Sequence, residues 1–299
     1  VQLKSKNKYK RLSTEFDNLE RKIKPDYSHF QYITPIIKNN KWINTIHDVL
    51  FLDYAENFNY NYRIKNYFLF KIGAKRADIL TTVSEYSRKR ISHHFNVDAK
   101  DITVIPNAVD NIESIAAKPV KQLVGKKFYL YVSRFEPRKN QHLLIESFLE
   151  SSCKYDSKLV LVGSPSLSYP QLDKFLNNGL SNIVHLQGID MSEVVWLYQN
   201  AIASLYPSKG EGFGIPPLEA VALQCPSYSA NNTALAELAP FLNGTFENSK
   251  GSITKLFNQI LSQDRNHDMK VESERVINTF NWHNSARALF KELVLKNNQ

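Results

Sequence analysis

Residues 201–219 read AIASLYPSKGEGFGIPPLE, and this stretch decides the fold. Its first part, Ala201–Leu205, is a short apolar run with the length of one strand. Gly212 and Gly214 then free the backbone to approach a ligand closely. Pro216 and Pro217 suit the first turn of a helix running to Leu223. The N-terminus of such a helix presents orphan N–H groups, which suit an anion such as a diphosphate. Glu211 stands in the loop and Glu219 about one turn into the helix, with seven residues between them. A carboxylate only accepts hydrogen bonds and can take two from a diol, as sugars and ribose require. Without GFGIPP between them, two glutamates at this spacing would read as surface residues flanking a turn.

Upstream, the same pattern repeats. FYLYVS (128–133), KLVLVG (158–163) and Ile183–Leu186 read as strands. Helical segments follow at Gln141–Ser151, at Pro170–Asn178, and from an Asp190 cap through Tyr198. Strand, helix, strand in alternation predicts a parallel sheet covered on both faces, an α/β fold. A first series precedes it, with strands at Tyr27–Ile33, Trp42–Ile46, Ile79–Val83 and Ile102–Ile105. Helices are expected over 3–23, stopped by Pro25, over Tyr60–Lys75, and from a Ser84 cap to Phe95. Leu3, Leu12, Phe16, Leu19 and Ile23 share a face of the first of these. The loop from His47 to about Asn59, rich in Phe, Tyr, Asp and Asn, reads as a site loop. Residues 108–127, with Pro119 and Gly125, read as a linker. The expected domains are 1–118 and 119–279, leaving a cleft between them, with a last helix over 280–299. Phe280 and Trp282, which introduce that helix, are expected to be packing residues. Ligands in open α/β sheets bind at the carboxyl ends of strands, and the candidate residues follow strands.

The composition allows two domains: 299 residues, 42% hydrophobic and 22% charged, with only 10 Gly and 12 Pro. These values exclude a disordered, collagenous or coiled-coil chain. No apolar run reaches the roughly 20 residues of a membrane helix. The opening VQLKSKNKYKRL has no apolar stretch behind its positive charge, so no signal peptide is expected. Position 1 is Val and the methionines are Met191 and Met269, so the N-terminus reads as cut, processed or unobserved. Two cysteines, Cys153 and Cys225, fit a reducing cytoplasmic setting rather than a disulfide framework. The net charge of +9 favours anionic partners, although many basic surfaces are only solvated faces.

Arg134 and Lys139 follow the strand FYLYVS. Arginine offers a planar fork for phosphate oxygens and lysine a compact charge. Arg138 reads as solvent-facing. His47 follows the strand WINTIH, a position that is often structural. No His, Cys or Asp set has metal-ligand spacing, and His93-His94 on one helix cannot easily face one ion, so no metal is expected. Gly163-Ser164, Gln187-Gly188-Ile189, Ser208, Asn231, Asn232 and Thr233 are softer candidates, because turns favour such residues anyway.

Together these segments resemble the retaining glycosyltransferases of family 4, which have the GT-B fold. Glu211-Gly-Phe-Gly-Ile-Pro-Pro-Leu-Glu219 is similar to their E-x7-E motif, and Val132–Asn140 to their strand-end motif with Arg and Lys five apart. His47-Asp48 resembles their His-Asp pair, Thr82–Ser87 their acceptor-side segment, and Ile105–Asp110 their PNG(V/I)D element, with Ala108 in place of the usual Gly. The resemblance covers about Tyr27 to Asn284 in the family order. It implies two Rossmann-like domains facing across a cleft. It also implies transfer of a hexose or deoxyhexose from a nucleotide-diphosphate sugar to an acceptor hydroxyl with retention, without a metal or other cofactor. Surface polysaccharide or glycolipid assembly at the cytoplasmic side of a membrane is the implied setting, by a mannosyltransferase-like enzyme. Catalytic roles fall on His47, Glu211, Arg134 and Lys139. Binding roles fall on Asp48, Gly212, Phe213, Gly214, Ile215, Glu219, Gly163, Gly188, Ile189 and Ser208.

Only 46 residues precede His47, where the family carries a further strand and a glycine-rich loop, so the first domain is expected to be incomplete. A non-catalytic nucleotide-sugar-binding module of a larger enzyme is the alternative. A sugar-nucleotide epimerase is disfavoured by the Glu211–Glu219 block. Nucleic-acid binding ranks last, since no aromatics interleave with the basic residues. Lys4, Lys6, Lys8, Lys10 and Arg11, and also Arg88, Lys89 and Arg90, form basic patches for anionic lipid headgroups or a lipid-linked glycan acceptor. Solvated helices are the plain alternative for both.

Overall fold

The computed structural model describes Asn7 and residues 10–109, 111–166, 169–262 and 268–297. It contains two α/β units, Val1–Pro106 with Ser285–Gln299, and Asn107–Asn284. In the first unit an N-terminal π-helical turn, Arg11–Glu15, leads into α1 (Phe16–Ile23), so the described part of the expected first helix starts later than residue 3. Leu3, Lys4, Lys6 and Lys8 lie outside the described residues. Lys24 takes a left-handed conformation at the end of α1.

The elements that follow are β1 (Tyr27–Gln31), β2 (Lys41–Thr45), α2 (Leu50–Asp53), α3 (Tyr60–Arg76), β3 (Ile79–Thr82), α4 (Glu85–Phe95) and β4 (Ile102–Val104). The four strands form a parallel sheet in the order β1-β2-β3-β4, with Tyr27 opposite Lys41 and Ile43 opposite Ile79. The Ser84 side chain caps α4 by accepting from Ser87 N at 3.0 Å, as its sequence implies. Ile46, Val49, Phe51, Phe70, Leu80, Ile91 and Phe95 make the core of this unit. The loop after His47 therefore begins as core rather than as a free site loop, because Val49, Leu50 and Phe51 are buried.

The second unit continues with β5 (Phe128–Val132), α5 (Gln141–Glu150), β6 (Lys158–Val162), α6 (Pro170–Asn177), β7 (Ile183–Leu186), α7 (Met191–Asn200), β8 (Ser204–Tyr206), α8 (Ile215–Ala222), β9 (Ser227–Ala230), α9 (Thr233–Glu237), β10 (Gly244–Phe246), α10 (Lys250–Ser262) and α11 (Lys270–Thr279). Its six strands are parallel in the order β10-β9-β8-β5-β6-β7. Phe128–Tyr131 and Leu159–Val162 are buried without alternation, as expected for strands with helices on both faces. Asp190 caps α7 in a reciprocal capping box with Glu193.

The stretch expected as a linker is packed into this unit. Val109, Ile112, Val120 and Leu123 are buried, so the first unit's opening segment ends at Pro106. The last helix, α12 (Trp282–Asn297), counts with the first unit from Ser285 on, and Ser285 Oγ donates to Pro106 O at 2.7 Å. Phe280 is buried against Phe241 and Phe213, with ring centroids 4.8 and 5.8 Å away, whereas Trp282 is 60% exposed rather than buried.

Candidate functional site

From β5 the chain builds outward through β6 and β7 on one side, and β8, β9 and β10 occupy the other. The boundary between β5 and β8 is thus a topological switch point, where loops after adjacent strands diverge and leave a crevice. Residues 133–140 follow β5 and residues 207–214 follow β8.

A four-residue charge network joins these loops. Lys139 Nζ lies 2.6 Å from Glu211 Oε1, and Arg138 Nη1 lies 3.3 Å from Glu211 Oε2. Arg138 Nη2 reaches Glu136 Oε2 at 3.3 Å. The same guanidinium donates to the Gly210 carbonyl, and Lys209 N donates to Arg138 O at 2.9 Å. Arg138 is therefore not solvent-facing: its side chain is 7% exposed. Two carboxylates and a carbonyl hold it inside, which the isolated sequence could not reveal. Burial pushes the Glu211 carboxyl up, but Lys139 and Arg138 outweigh it and hold it below the usual carboxylate range. Arg134 differs from its expected partner Lys139. Its side chain is 75% exposed, with one long contact to Glu136 at 3.7 Å.

Buried tyrosines that the sequence reading did not single out support this network from below. Tyr206 OH donates to Val132 O at 2.5 Å, Tyr131 OH to Lys139 O at 3.3 Å, and Tyr198 OH to Pro216 O at 3.4 Å. Their common signal was a tyrosine inside an otherwise apolar strand or helix, where a buried hydroxyl requires a partner. Thr233 Oγ1 accepts from Glu211 N at 3.0 Å, which gives this soft candidate a positioning task. Asn232 Nδ2 holds the Ser208 carbonyl at 3.0 Å, and Ser208 Oγ is buried against Gly210 O at 3.2 Å. Ser208 thus shapes the loop from inside.

Gly214 caps α8 with φ +127°, and a Cβ there would come within 2.8 Å of Leu235 and Leu238. The helix starts at Ile215, so Pro216 and Pro217 fill its second and third positions and remove two of the orphan donors expected for an anion. Gly212, Phe213 and Gly214 are buried, and Ile215 is at the surface. Glu219 has no ion-pair partner among the described residues, and burial pushes its carboxyl up to about 7.

Gly163 has a packing reason. At φ +146° a Cβ would lie 1.9 Å from Ser133 O, so only glycine lets the ends of β5 and β6 meet. His185 Nε2 lies 2.8 Å from Gly163 O, and the His185 ring sits 4.6 Å from Phe135. Gly188 (φ +69°) and Ile189 follow β7, with open space around Gly188.

In the first unit, His47 follows β2 and its ring lies 5.2 Å from that of Tyr32. Burial holds it below the usual imidazole range and His29 adds to this, while Asp48 opposes. Asp48 Oδ1 accepts from Leu50 N at 3.0 Å, starting α2. Asp53 closes that helix and ties it to α4. Arg90 Nε donates to it at 2.8 Å, Tyr86 OH donates at 3.0 Å, and His94 Nε2 lies at 2.7 Å. The structure thus gathers Glu211, Lys139 and Arg138, leaves Arg134 at the edge, and carries His47 and Asp48 on the other unit.

Residues 114–275 match the family described as glycosyl transferases group 1, and residues 3–111 match glycosyltransferase family 4. The chain belongs to the group 1 glycosyl transferases. The O-antigen chain mannosyltransferase RfbU of Salmonella typhimurium is 30% identical over 193 residues, which are 64% of this chain and 52% of that protein. A Campylobacter jejuni enzyme, named N-acetylgalactosamine-N,N'-diacetylbacillosaminyl-diphospho-undecaprenol 4-alpha-N-acetylgalactosaminyltransferase, is 29% identical over 173 residues, 56% of this chain and 45% of that one. The chain spans about half the length of these two relatives. The solved sucrose-phosphate synthase of Thermosynechococcus elongatus superposes with a TM-score of 0.75 at 20% identity, covering 95% of this chain and 76% of that chain. The two parallel-sheet units and this likeness make the fold GT-B.

Proposed function

We propose that this family member is a retaining glycosyltransferase that moves a hexose or deoxyhexose from a nucleotide-diphosphate sugar to an acceptor hydroxyl. The observation that carries the reading is the gathering of Lys139, Arg138 and Glu211 at the switch point between β5 and β8. A diphosphate entering there meets Lys139 and the exposed guanidinium of Arg134. As the glycosidic bond breaks, negative charge grows on the leaving phosphate, and fixed cations lower that barrier. In this reading Glu211 accepts sugar hydroxyls once the phosphate shares Lys139, with Arg138 still holding its other oxygen. Glu219 is assigned the ribose diol. His47 and Asp48 enter through family likeness alone, as does the leaving phosphate acting as base in a reaction that needs no metal.

The relatives' names support surface-polysaccharide chemistry: one acts as an O-antigen chain mannosyltransferase, the other on a diphospho-undecaprenol glycan. A glycan or lipid-linked glycan acceptor is therefore proposed here. Calorimetry against UDP, GDP, ADP, dTDP and their sugars tests the donor, repeated with Arg134→Ala and Glu219→Ala. One nucleotide should bind at least about tenfold more tightly than the rest, a gap of about 1.4 kcal/mol, and that binding should be lost in both variants. Absence of nucleotide binding sinks the reading. Donor binding without any turnover supports the non-catalytic module instead, and NMR of the product linkage decides retention.

A further inference from the structure

Asn248 belongs to none of the sequence motifs and lies between β10 and α10. Strand β10 is an edge of its sheet, with β9 and β8 between it and β5. The Asn248 side chain nevertheless reaches both loops that carry the charge network. Its Nδ2 donates to Pro207 O at 2.9 Å and to Ser208 O at 3.3 Å, just after β8. Its Oδ1 accepts from Asn140 Nδ2 at 3.0 Å, and Asn140 directly follows Lys139. A carbonyl can only accept, so Pro207 and Ser208 fix which end of the amide faces them and leave the oxygen for Asn140.

The two anchored points lie close to the charged groups. Asn140 is 2% exposed and takes a left-handed conformation, φ +63°, where the chain turns from Pro137–Lys139 into α5. A non-glycine residue keeps such a conformation only where its surroundings hold it. Ser208 stands three residues before Glu211, and its carbonyl also accepts from Asn232 Nδ2 at 3.0 Å. One amide from the loop after β10 thus ties the loop after β5 to the loop after β8. The direct contact between those loops, Lys139 Nζ to Glu211 Oε1 at 2.6 Å, is ionic and loosens when an anion takes a share of the lysine. The Asn248 link carries no charge and touches neither group, so it keeps the loops in register through that exchange.

We propose that Asn248 is a positioning residue for the donor diphosphate. It acts through Asn140 and Ser208 to hold Lys139 where the phosphate and Glu211 can share it. This rests on the donor site proposed above. A cation already in place needs no reorganisation as charge grows on the leaving phosphate, and a small displacement of its loop forfeits that advantage.

A double-mutant cycle in calorimetry tests it, using whichever of UDP, GDP, ADP and dTDP binds the wild-type chain most tightly. Asn248→Leu should weaken binding by about five- to tenfold in the wild-type background, and by less than about twofold on top of Lys139→Met, because its effect passes through that lysine. Asn243→Ala is the comparison for a purely structural loss. Asn243 Oδ1 accepts from Ser227 N at 2.9 Å at the amino end of β9, away from the site, so this variant should melt earlier and bind as wild type does. If Asn248→Leu does not fold, Asn248→Ser repeats the cycle with a side chain too short to span both loops. Equal losses with and without Lys139 overturn the inference, as does unchanged affinity in the Asn248 variant. So does a loss in Asn243→Ala as large as that in the Asn248 variant, since affinity then follows general loosening of the unit. If the wild-type chain binds none of the four diphosphates, the donor reading fails and this inference falls with it. Additive losses in a chain that does bind overturn this inference alone.

Discussion

Replacing Arg138 by methionine removes the cation shared by Glu136 and Glu211. Both carboxylates are largely buried, and the guanidinium touches them at 3.3 Å each. After the change Glu136 keeps only the exposed Arg134 at 3.7 Å, a contact of the kind worth about 0–1 kcal/mol. Glu211 keeps Lys139 at 2.6 Å, and the Gly210 carbonyl loses one of its two donors, keeping the Ser208 hydroxyl at 3.2 Å. Removing one partner of a buried pair costs about 3–5 kcal/mol, and the surviving Lys139 contact argues for the lower end. At about 2–4 °C per kcal/mol for a domain of this size, the melting transition should fall by on the order of 10 °C in calorimetry. Adding Glu136→Gln to the same chain should recover part of that loss, since Glu211 keeps Lys139 and no uncompensated carboxylate then remains buried. A surface arginine would change stability by only about 0.5 kcal/mol. A shift of Arg138→Met below about 2 °C would therefore refute the buried network.

Glu219 should make stability depend on pH. Its carboxyl is raised from 4.5 to about 7 in the fold, so the folded chain keeps a proton that the unfolded chain loses. This contribution is full below about pH 4.5 and is lost as pH rises through about 7, at most about 3 kcal/mol. Glu219→Gln should flatten that slope and be the more stable chain at pH 8; parallel stability curves from urea unfolding would exclude it. Gly163→Ala puts a Cβ 1.9 Å from Ser133 O and should cost about 1–3 kcal/mol or more, whereas Gly188→Ala meets open space and should cost less. Equal urea midpoints for the two would contradict this packing. Lys139→Met should weaken nucleoside diphosphate binding by about ten- to a hundredfold in calorimetry, the loss of one charge-assisted phosphate contact. An unchanged affinity would move the diphosphate away from β5.

The described strands of the first unit, and those of the second as far as β8, were legible because their signals are local. Apolar runs of strand length, Ser84 and Asp190 as caps, and prolines at the start of α8 act within a few residues of themselves. The motif order along the chain likewise carried the family. Beyond Leu223 these local signals weaken. β9 is SYSA, polar in sequence yet buried on both faces, and β10 has three residues, so neither has an apolar run. Gly163 was legible as a loop glycine, but the Ser133 carbonyl that requires it is not.

Glu211, Glu219, Arg134 and Lys139 were chosen from sequence alone, but their pairing was not. Lys139 and Glu211 are 72 residues apart, and they meet because β8 lies beside β5 rather than beside β7. The same adjacency turns Arg138 inward and leaves Arg134 at the surface. Local propensity and capping act over a few residues and can be read in chain order. A buried charge finds its partner only after the strand order has brought distant loops together, and that order is set by packing of the whole sheet.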